Sequence, residues 1–512
     1  MISISHTHSK LTSNYSDLCC FTFHYVSPLL YSYLIISPTH DKSSTLMETR
    51  VVTSPKRKTM TNDNKETKNS RKPINEESPL LPKNHATEEF NAKRASFTAS
   101  VFNISTSIIG AGIMALPATM KVLGLGLGIG MIMFVAILTE GSLEMLLRFS
   151  RVGNSQSYGE VMRDAFGRAG RLLLQICILV NNVGTLIVYM IIIGDVLSGT
   201  SSSGVHHAGV LEGWFGEHWW NGRTFVLLVT TISVFAPLAC FKRMDSLRYS
   251  SALAVALAVV FLVITAGITI IKFFNGSIVM PRLLPNVTDM TSIWNLFTVV
   301  PVLVTAFICH FNVHTIDNEL EDSSLIRPVV QTSLALCSIV YVLTSFFGFL
   351  LFGDSTLDDV LANFNTNLGI PYGSLLNDVV RISYALHLML VFPILFYPLR
   401  LNLDGLLFPS SRPLVLDNLR FGLISIGLLL LVFLGANFIP NIWDVFQFTG
   451  ATATVCIGFI FPAAIALRDR HGIATKKDKI LSVFMIALAV FSNMVAIYSD
   501  AYALYKENHP HV

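Results

Sequence analysis

Residues Ser107–Pro117 read SIIGAGIMALP and lie in the first long apolar segment after a polar N-terminal region. A helix in hydrocarbon closes its own backbone hydrogen bonds, because the bilayer offers no other partners. Gly110, Gly112 and Pro117 weaken that closure near mid-membrane. Unwound backbone at such depth is tolerated only where it is buried in protein or lines a cavity. Broken helices of this kind aim free N–H groups and helix ends at a bound solute. Small residues in the same places also let two helices pack closely. The segment alone leaves both readings open.

Working outward, the chain is 52% hydrophobic and 13% charged, with mean hydropathy +0.58. That is the composition of a polytopic membrane protein. The net charge of +3 sits in loops and points to no nucleic-acid partner. Of the seven cysteines, none has zinc-ligand spacing and no disulfide framework emerges, so neither a metal site nor another cofactor is expected. Crossing the bilayer takes about 20 apolar residues. Eleven such spans are expected, at about 97–120, 125–147, 172–197, 224–240, 250–271, 292–311, 329–352, 375–399, 418–437, 441–467 and 480–503. The fold class is therefore all-α, with residues 96–505 forming one membrane domain.

Lys and Arg are divided unequally among the loops. The loops after spans two, four, six, eight and ten hold 17 of them, and the other five hold only Lys121, Arg223, Lys272 and Arg282. By the positive-inside rule the five rich loops and the Lys-rich N-terminus face the cytosol. Asn275-Gly-Ser and Asn286-Val-Thr, both glycosylation acceptors, then fall on the opposite side. Trp214, Trp219 and Trp220 in the 198–222 loop read as an interfacial aromatic belt. Span one starts in the cytosol and span six on the other side, so spans 1–5 and 6–10 are candidates for two inverted repeats. Such a pair predicts a second break in span six. Pro301 and the run Cys309-His310-Phe311-Asn312 could supply it, without a glycine pair.

Residues 1–95 read as a cytosolic tail. From 41 to 95 it is rich in Lys, Asn, Thr, Ser and Glu, a disorder-type composition. Residues 1–46 carry an interrupted apolar stretch that fits a degenerate signal or an extra span, or equally a misassigned start with Met47 or Met60 as the true one. Within the tail, Glu76-Glu77-Ser78-Pro79-Leu80-Leu81 has the pattern of an acidic dileucine signal, in which Glu76, Leu80 and Leu81 would be read by a sorting adaptor.

Residues 95–120, ASFTASVFNISTSIIGAGIMALPATM, resemble the opening segment of the amino acid/auxin permease family. Further motifs carry the likeness: Ser157-Tyr158-Gly159-Glu160, Phe241-Lys242-Arg243-Met244, Cys309-His310 with Glu319-Leu320-Glu321-Asp322, and Phe396-Tyr397-Pro398-Leu399-Arg400. The nearest branch is the plant vacuolar amino-acid transporters, which are similar to sodium-coupled neutral amino-acid transporters. The resemblance implies a LeuT-like five-plus-five inverted repeat with one added helix, and an amino acid as substrate. It gives the break a role as well. The N–H groups and positive helix dipole around Gly110, Ala111, Gly112 and Ile113 suit a carboxylate, with Asn103 or Ser107 adding contacts. Backbone carbonyls of the same turn and groups near Thr305 would accept from the ammonium. Ser and Thr in membrane helices also bond their own i−4 carbonyl.

The sodium-coupled relatives place a hydroxyl late in span eight, where this chain reads His387-Leu388-Met389-Leu390-Val391-Phe392-Pro393. Sodium wants oxygen ligands, so protons are the expected coupling ion and sodium the lesser alternative. Ionisable groups within the membrane default to functional candidates, here His387, His310 and Glu140. Glu144 and Arg148, at i and i+4, read as a structural pair, and Asp195 and Arg381 as snorkelling ends. The expected function is proton-coupled amino-acid transport across the vacuolar membrane. A sodium-coupled plasma-membrane importer is the rival within transport, and a channel or receptor the rival outside it. No HExxH, GxSxG or phosphate-cradling loop marks an enzyme.

Overall fold

In a computed structural model of the chain, residues 85–202, 205–364, 368–409, 412–439 and 450–508 are described. The proposed sorting signal and the questioned start, residues 1–46, lie outside them. The first helix, α1, runs His85–Ile108, so it begins inside the stretch read as tail. After it come α2 (Gly112–Leu123), α3 (Leu125–Val152) and α4 (Tyr158–Ser198). Ser157 opens α4 as its N-cap, its hydroxyl accepting from Glu160 N–H, while the Glu160 carboxylate accepts from Gln156 N–H. The Ser157 N-cap, with Glu160 tying down the preceding N–H, explains why a helix starts at the polar end of a hydrophobic run. Next are α5 (Arg223–Ala239) and α6 (Arg248–Phe274). The second half consists of α7 (Met290–Ala306), α8 (His310–Glu319), α9 (Ile326–Phe352), α10 (Gly373–Leu407) and α11 (Asn418–Phe438). It closes with α12 (Thr452–Arg468) and α13 (Lys476–Asn508). One two-stranded hairpin, Gly199–Ser202 with Val205–Ala208, follows α4.

Among the described residues eight helices are long and apolar enough to cross a membrane, and a ninth crossing is the pair Lys93–Ile108 and Gly112–Leu123, bent by 56°. The shorter apolar helices α5 and α12 stand where spans four and ten are expected, the start of the latter falling outside the described residues. Both contain π-helical turns, at Thr231–Phe235 and Cys456–Ile460, each just before a proline, Pro237 or Pro462. A proline has no N–H to close the regular ladder, and a wider turn absorbs the mismatch.

The bundle has two ends, and the loops sort between them as the charge count predicts. Arg151 reaches Ser323 O at 2.8 Å, Asp164 pairs with Arg470 and His471, and Lys242 bonds Val415 O and Asn418. These contacts join the basic loops after spans two, six and ten, and those after spans four and eight, and the N–H groups of Met244 and Asp245 on Glu319 connect the two groups. The lean loops meet likewise: Leu125 N–H donates to Arg282 O, and Lys121 donates to Thr356 O. The side-chain pairs differ from expectation. Arg148 pairs with Asp478 at 2.6 Å and Glu144 with Arg327 at 3.3 Å, so the two do not pair with each other. Asp195 pairs with Arg223, and Arg381 is buried, donating to Val196 O and Ala208 O, which snorkelling does not describe. In each case the partner comes from another element of the bundle.

Candidate substrate site

Helix α1 ends at Ile108 and α2 starts at Gly112, and the two glycines of the break are there for steric reasons. A Cβ on Gly110 would collide with Tyr189 Oη, and one on Gly112 would stand 2.9 Å from Ala306 Cα. Gly110 thus admits a tyrosine, and Gly112 lets two backbones touch. The new helix opens with tight turns, Ile113 N–H to Gly110 O and Met114 N–H to Ala111 O.

A broken helix strands the carbonyls of its last turn. Here side chains from other helices meet them. Tyr341 Oη on α9 donates to Ile108 O at 2.7 Å, and Tyr384 Oη on α10 donates to Gly110 O at 2.6 Å. Tyr189, on α4, meets the break the other way round, its phenol oxygen accepting from the Ala111 backbone N–H. His387 Nδ1 lies 2.8 Å from Ala254 O on α6 and its ring also faces Ile109 O. A carbonyl can only accept, so Nδ1 carries the proton and Nε2, which has no partner among the described residues, is the open acceptor.

The second break lies between Ala306 and His310. Phe307 N–H is shared between Leu303 O and Val304 O, and Tyr341 Oη also stands 2.7 Å from Ala306 O. Asn312 Nδ2 donates to Ser107 Oγ at 2.8 Å and to Ile394 O at 3.3 Å, tying α8 to α1 and α10. His310 Nε2 is 2.9 Å from Ser142 Oγ on α3, whose single proton goes to Gly458 O. Nε2 is therefore the donor to Ser142, and Nδ1 is left without a partner among the described residues.

The two breaks thus meet inside the bundle, where Ser107, Gly110, Ala111 and Ile113 are buried and Gly112 is partly buried. Asn103 is buried one turn before Ser107, its Nδ2 3.4 Å from Met244 O and its Oδ1 unpartnered among the described residues. Thr305 bonds Pro301 O within its own helix at 2.8 Å, which is the ordinary structural use of a membrane threonine. Glu140 accepts from Gln331 at 2.8 Å, on the face of α3 away from Ser142 and His310. Two residues along a helix is about 200° of rotation, so the two groups diverge. Asn275 and Asn286 lie in the loop after α6, and both are exposed. Sequence reasoning missed Tyr189, Tyr341, Tyr384 and Ser142. The available signal was a tyrosine hydroxyl in mid-span, since a buried phenol must find a partner.

At the basic end, Glu319 accepts from the N–H groups of Met244 and Asp245, and the Met244 carbonyl is the one that Asn103 approaches. The loop before α6 is thereby held to both α1 and α8.

Among solved structures, a variant form of the manganese transporter of Eremococcus coleocola aligns with TM-score 0.51 over 84% of this chain and 91% of its own, at 12% identity. The same transporter in complex with an aromatic bis-isothiourea substituted compound aligns with TM-score 0.50 over the same shares, at 15% identity. That likeness is one of fold, a LeuT-like inverted repeat. Amino acid transporter AVT6A of Arabidopsis thaliana is 69% identical over 436 residues, covering 84% of this chain and 94% of the relative. AVT6B of the same plant is 69% identical over 404 residues, 78% and 88% of the two chains. The family model described as transmembrane amino acid transporter protein matches residues 93–504. The chain belongs to the transmembrane amino acid transporter family.

Proposed function

We propose that this chain moves amino acids across the vacuolar membrane by alternating access around the paired breaks, with protons as the coupling ion. The observation that carries the reading is the meeting of both breaks, backbone to backbone at Gly112 and Ala306 and side chain to side chain at Ser107 and Asn312. Helices α2 and α8 both start there, so two positive dipole ends face the site and favour a carboxylate. The carbonyls of Ile108 and Ala306 end the opposing half-helices and favour an ammonium. No soluble-type catalytic group is needed, because the work is binding and release.

His387 is the group that suits a proton. Its ring lies between Ala254 O and Ile109 O, and an imidazolium could donate to both where the neutral ring donates to one. Taking up a proton would therefore tighten the first break against α6. Met389 and Val391 near it are apolar and buried, a poor set for sodium. His310, hydrogen-bonded to Ser142 beside the second break, is a further relay candidate, whereas Glu140 stands apart. The basic loops and the N-terminus face the cytosol in this reading, and a sorting adaptor reads Glu76, Leu80 and Leu81.

The test is flux of radiolabelled amino acids into liposomes holding the purified chain, under an imposed proton or sodium gradient. Uptake that follows the pH gradient and needs no sodium is expected, and H387Q should flatten the pH dependence. Flux that requires sodium and ignores pH would overturn the coupling assignment.

A further inference from the structure

Helix α12 is fastened to α4 by three contacts in a row. Tyr158 Oη donates to Ile457 O at 2.9 Å, Cys177 and Cys456 hydrogen-bond each other through their sulfurs, and Thr454 Oγ1 donates to Asn181 Oδ1 at 2.5 Å. Asn181 stands one turn beyond Cys177 on α4, and Cys456 lies between Thr454 and Ile457 on α12, so the sulfur pair is the middle rung of a short ladder. Tyr158, Asn181 and Thr454 in the outer rungs are buried, whereas both cysteines are half-buried. Leu173 and Ile176, beside Cys177 on α4, are exposed, which puts the pair next to the lipid face. Cys177 is six residues past Arg171, about 9 Å along the helix from the basic end of the bundle. The other described cysteines are placed differently. Cys309 and Cys337 are buried, with Cys337 Sγ 3.8 Å from Ser105 O, and the exposed Cys240 donates to Ala236 O.

What the ladder holds is the second break. Cys456 opens the π-helical turn Cys456–Ile460. Within that turn Gly458 O accepts from Ser142 Oγ, the hydroxyl that itself accepts from His310. A Cβ on Gly458 would come within 3.3 Å of Ile308 Cδ1 and 3.4 Å of Val304 Cγ1, so the turn lies against the interruption itself. A π-turn is a local irregularity in the helix ladder, and a covalent bond at its first residue would fix it to α4.

We propose that Cys177 and Cys456 form a peroxide-sensitive redox site, whose disulfide clamps the π-helical turn of α12 to α4 and arrests transport. One thiol attacks hydrogen peroxide: an S–O bond forms, the O–O bond breaks, and the thiol proton leaves with the second oxygen as water. The other sulfur then displaces the hydroxyl of that sulfenic acid, which forms the S–S bond and releases a second water with the remaining thiol proton. The two sulfurs together lose two electrons and the two peroxide oxygens gain them. A dithiol reverses the change by exchange. The arrest rests on the transport reading given above, and the bond itself does not.

The experiment uses the full-length chain in liposomes, treated with hydrogen peroxide and then with dithiothreitol. Trypsin cuts after Arg171, Arg223, Arg420 and Arg468, so the two sulfurs fall in separate peptides, 172–223 and 421–468. Mass spectrometry without reduction should find those two joined after peroxide. Uptake of the best-transported member of a panel of radiolabelled proteinogenic amino acids should fall to about a tenth or less and return with dithiothreitol. C177A and C456A should each transport within about twofold of the unaltered chain and keep that rate under peroxide. If one variant folds poorly, the other variant and the peptide map of the unaltered protein carry the test. Absence of the joined peptides would overturn the site. Joined peptides with undiminished uptake, or a loss of uptake in C177A that dithiothreitol reverses, would overturn the clamp. Joined peptides in a protein that moves no amino acid before peroxide would overturn the transport reading and leave the redox site standing.

Discussion

The two breaks reach the same end by different means. The first is made by what is missing: Gly110 leaves room for the Tyr189 hydroxyl, Gly112 leaves room for the Ala306 backbone, and the helix turns by 56°. The second has no glycine pair. It is made by Pro301 and by a three-residue interruption before His310, and it bends so little that Ser292–Glu319 still qualifies as one span of 28 residues. A steric break tolerates no added atom, whereas a break held by hydrogen bonds should weaken by degrees. The first break should therefore fail abruptly on substitution and the second gradually.

The largest effect should come from G110A, which drives a methyl into the Tyr189 hydroxyl. Overpacking of this kind costs about 1–3 kcal/mol, so uptake into liposomes should fall to about a tenth or less. G110A with Y189F should recover a substantial part of the flux, because the clash is with the hydroxyl. An unrescued double variant would mean that the break needs glycine for its backbone, and the steric account would fail.

N312A should be milder. It removes the donor to Ser107 Oγ and Ile394 O, a net loss of about 0.5–1.5 kcal/mol, and should raise KM several-fold while the protein remains folded. Comparable losses from G110A and N312A would erase the proposed distinction between the breaks.

Asp359 probes the first break from outside the membrane. It caps the short helix Val360–Asn363, which packs on α2, and burial pushes its carboxyl up to about 6, with Asp195 and Asp358 adding to the rise. A raised acid favours the folded state when protonated, so this stability is full below about pH 4 and is lost as pH rises through about 6. D359N should therefore raise the melting temperature in detergent at pH 7.5 by about 2 °C and leave it unchanged near pH 4. A gain that is equal at both values would remove the linkage to this carboxyl.

T305V should do least. Its hydroxyl serves Pro301 O within α7, so uptake kinetics should stay within about twofold, as for an exposed or locally satisfied hydroxyl. A large rise in KM would restore Thr305 to the site and show that the second break depends on side chains after all.

What is legible in the sequence follows from the same contrast. Gly110 and Gly112 can be read because a glycine pair in hydrocarbon is conspicuous on its own. The polar run Cys309–Asn312 is visible, but not that Asn312 binds Ser107, 205 positions away in the chain. Tyr341 gives no local sign, since its acceptors are 233 and 35 residues distant and a tyrosine in an apolar span also fits plain packing. The pairing of Glu144 with Arg148 fails because helix spacing predicts neighbours along one helix, while Asp478 and Arg327 reach them from others. The loop charges predict both ends of the bundle well, because they are set by membrane insertion and not by tertiary contact.

The contact of Gly112 with Ala306 also has a genetic meaning. Every missense change at codon 112 adds a Cβ, and that atom would lie 2.9 Å from the Ala306 Cα whatever the rest of the side chain is. No substitution at that codon is conservative, and no trimming at codon 306 relieves it, since the obstruction is main chain. In a population of alleles, the middle of the first membrane segment should be nearly silent in variation, with the few changes at codon 112 behaving as null alleles.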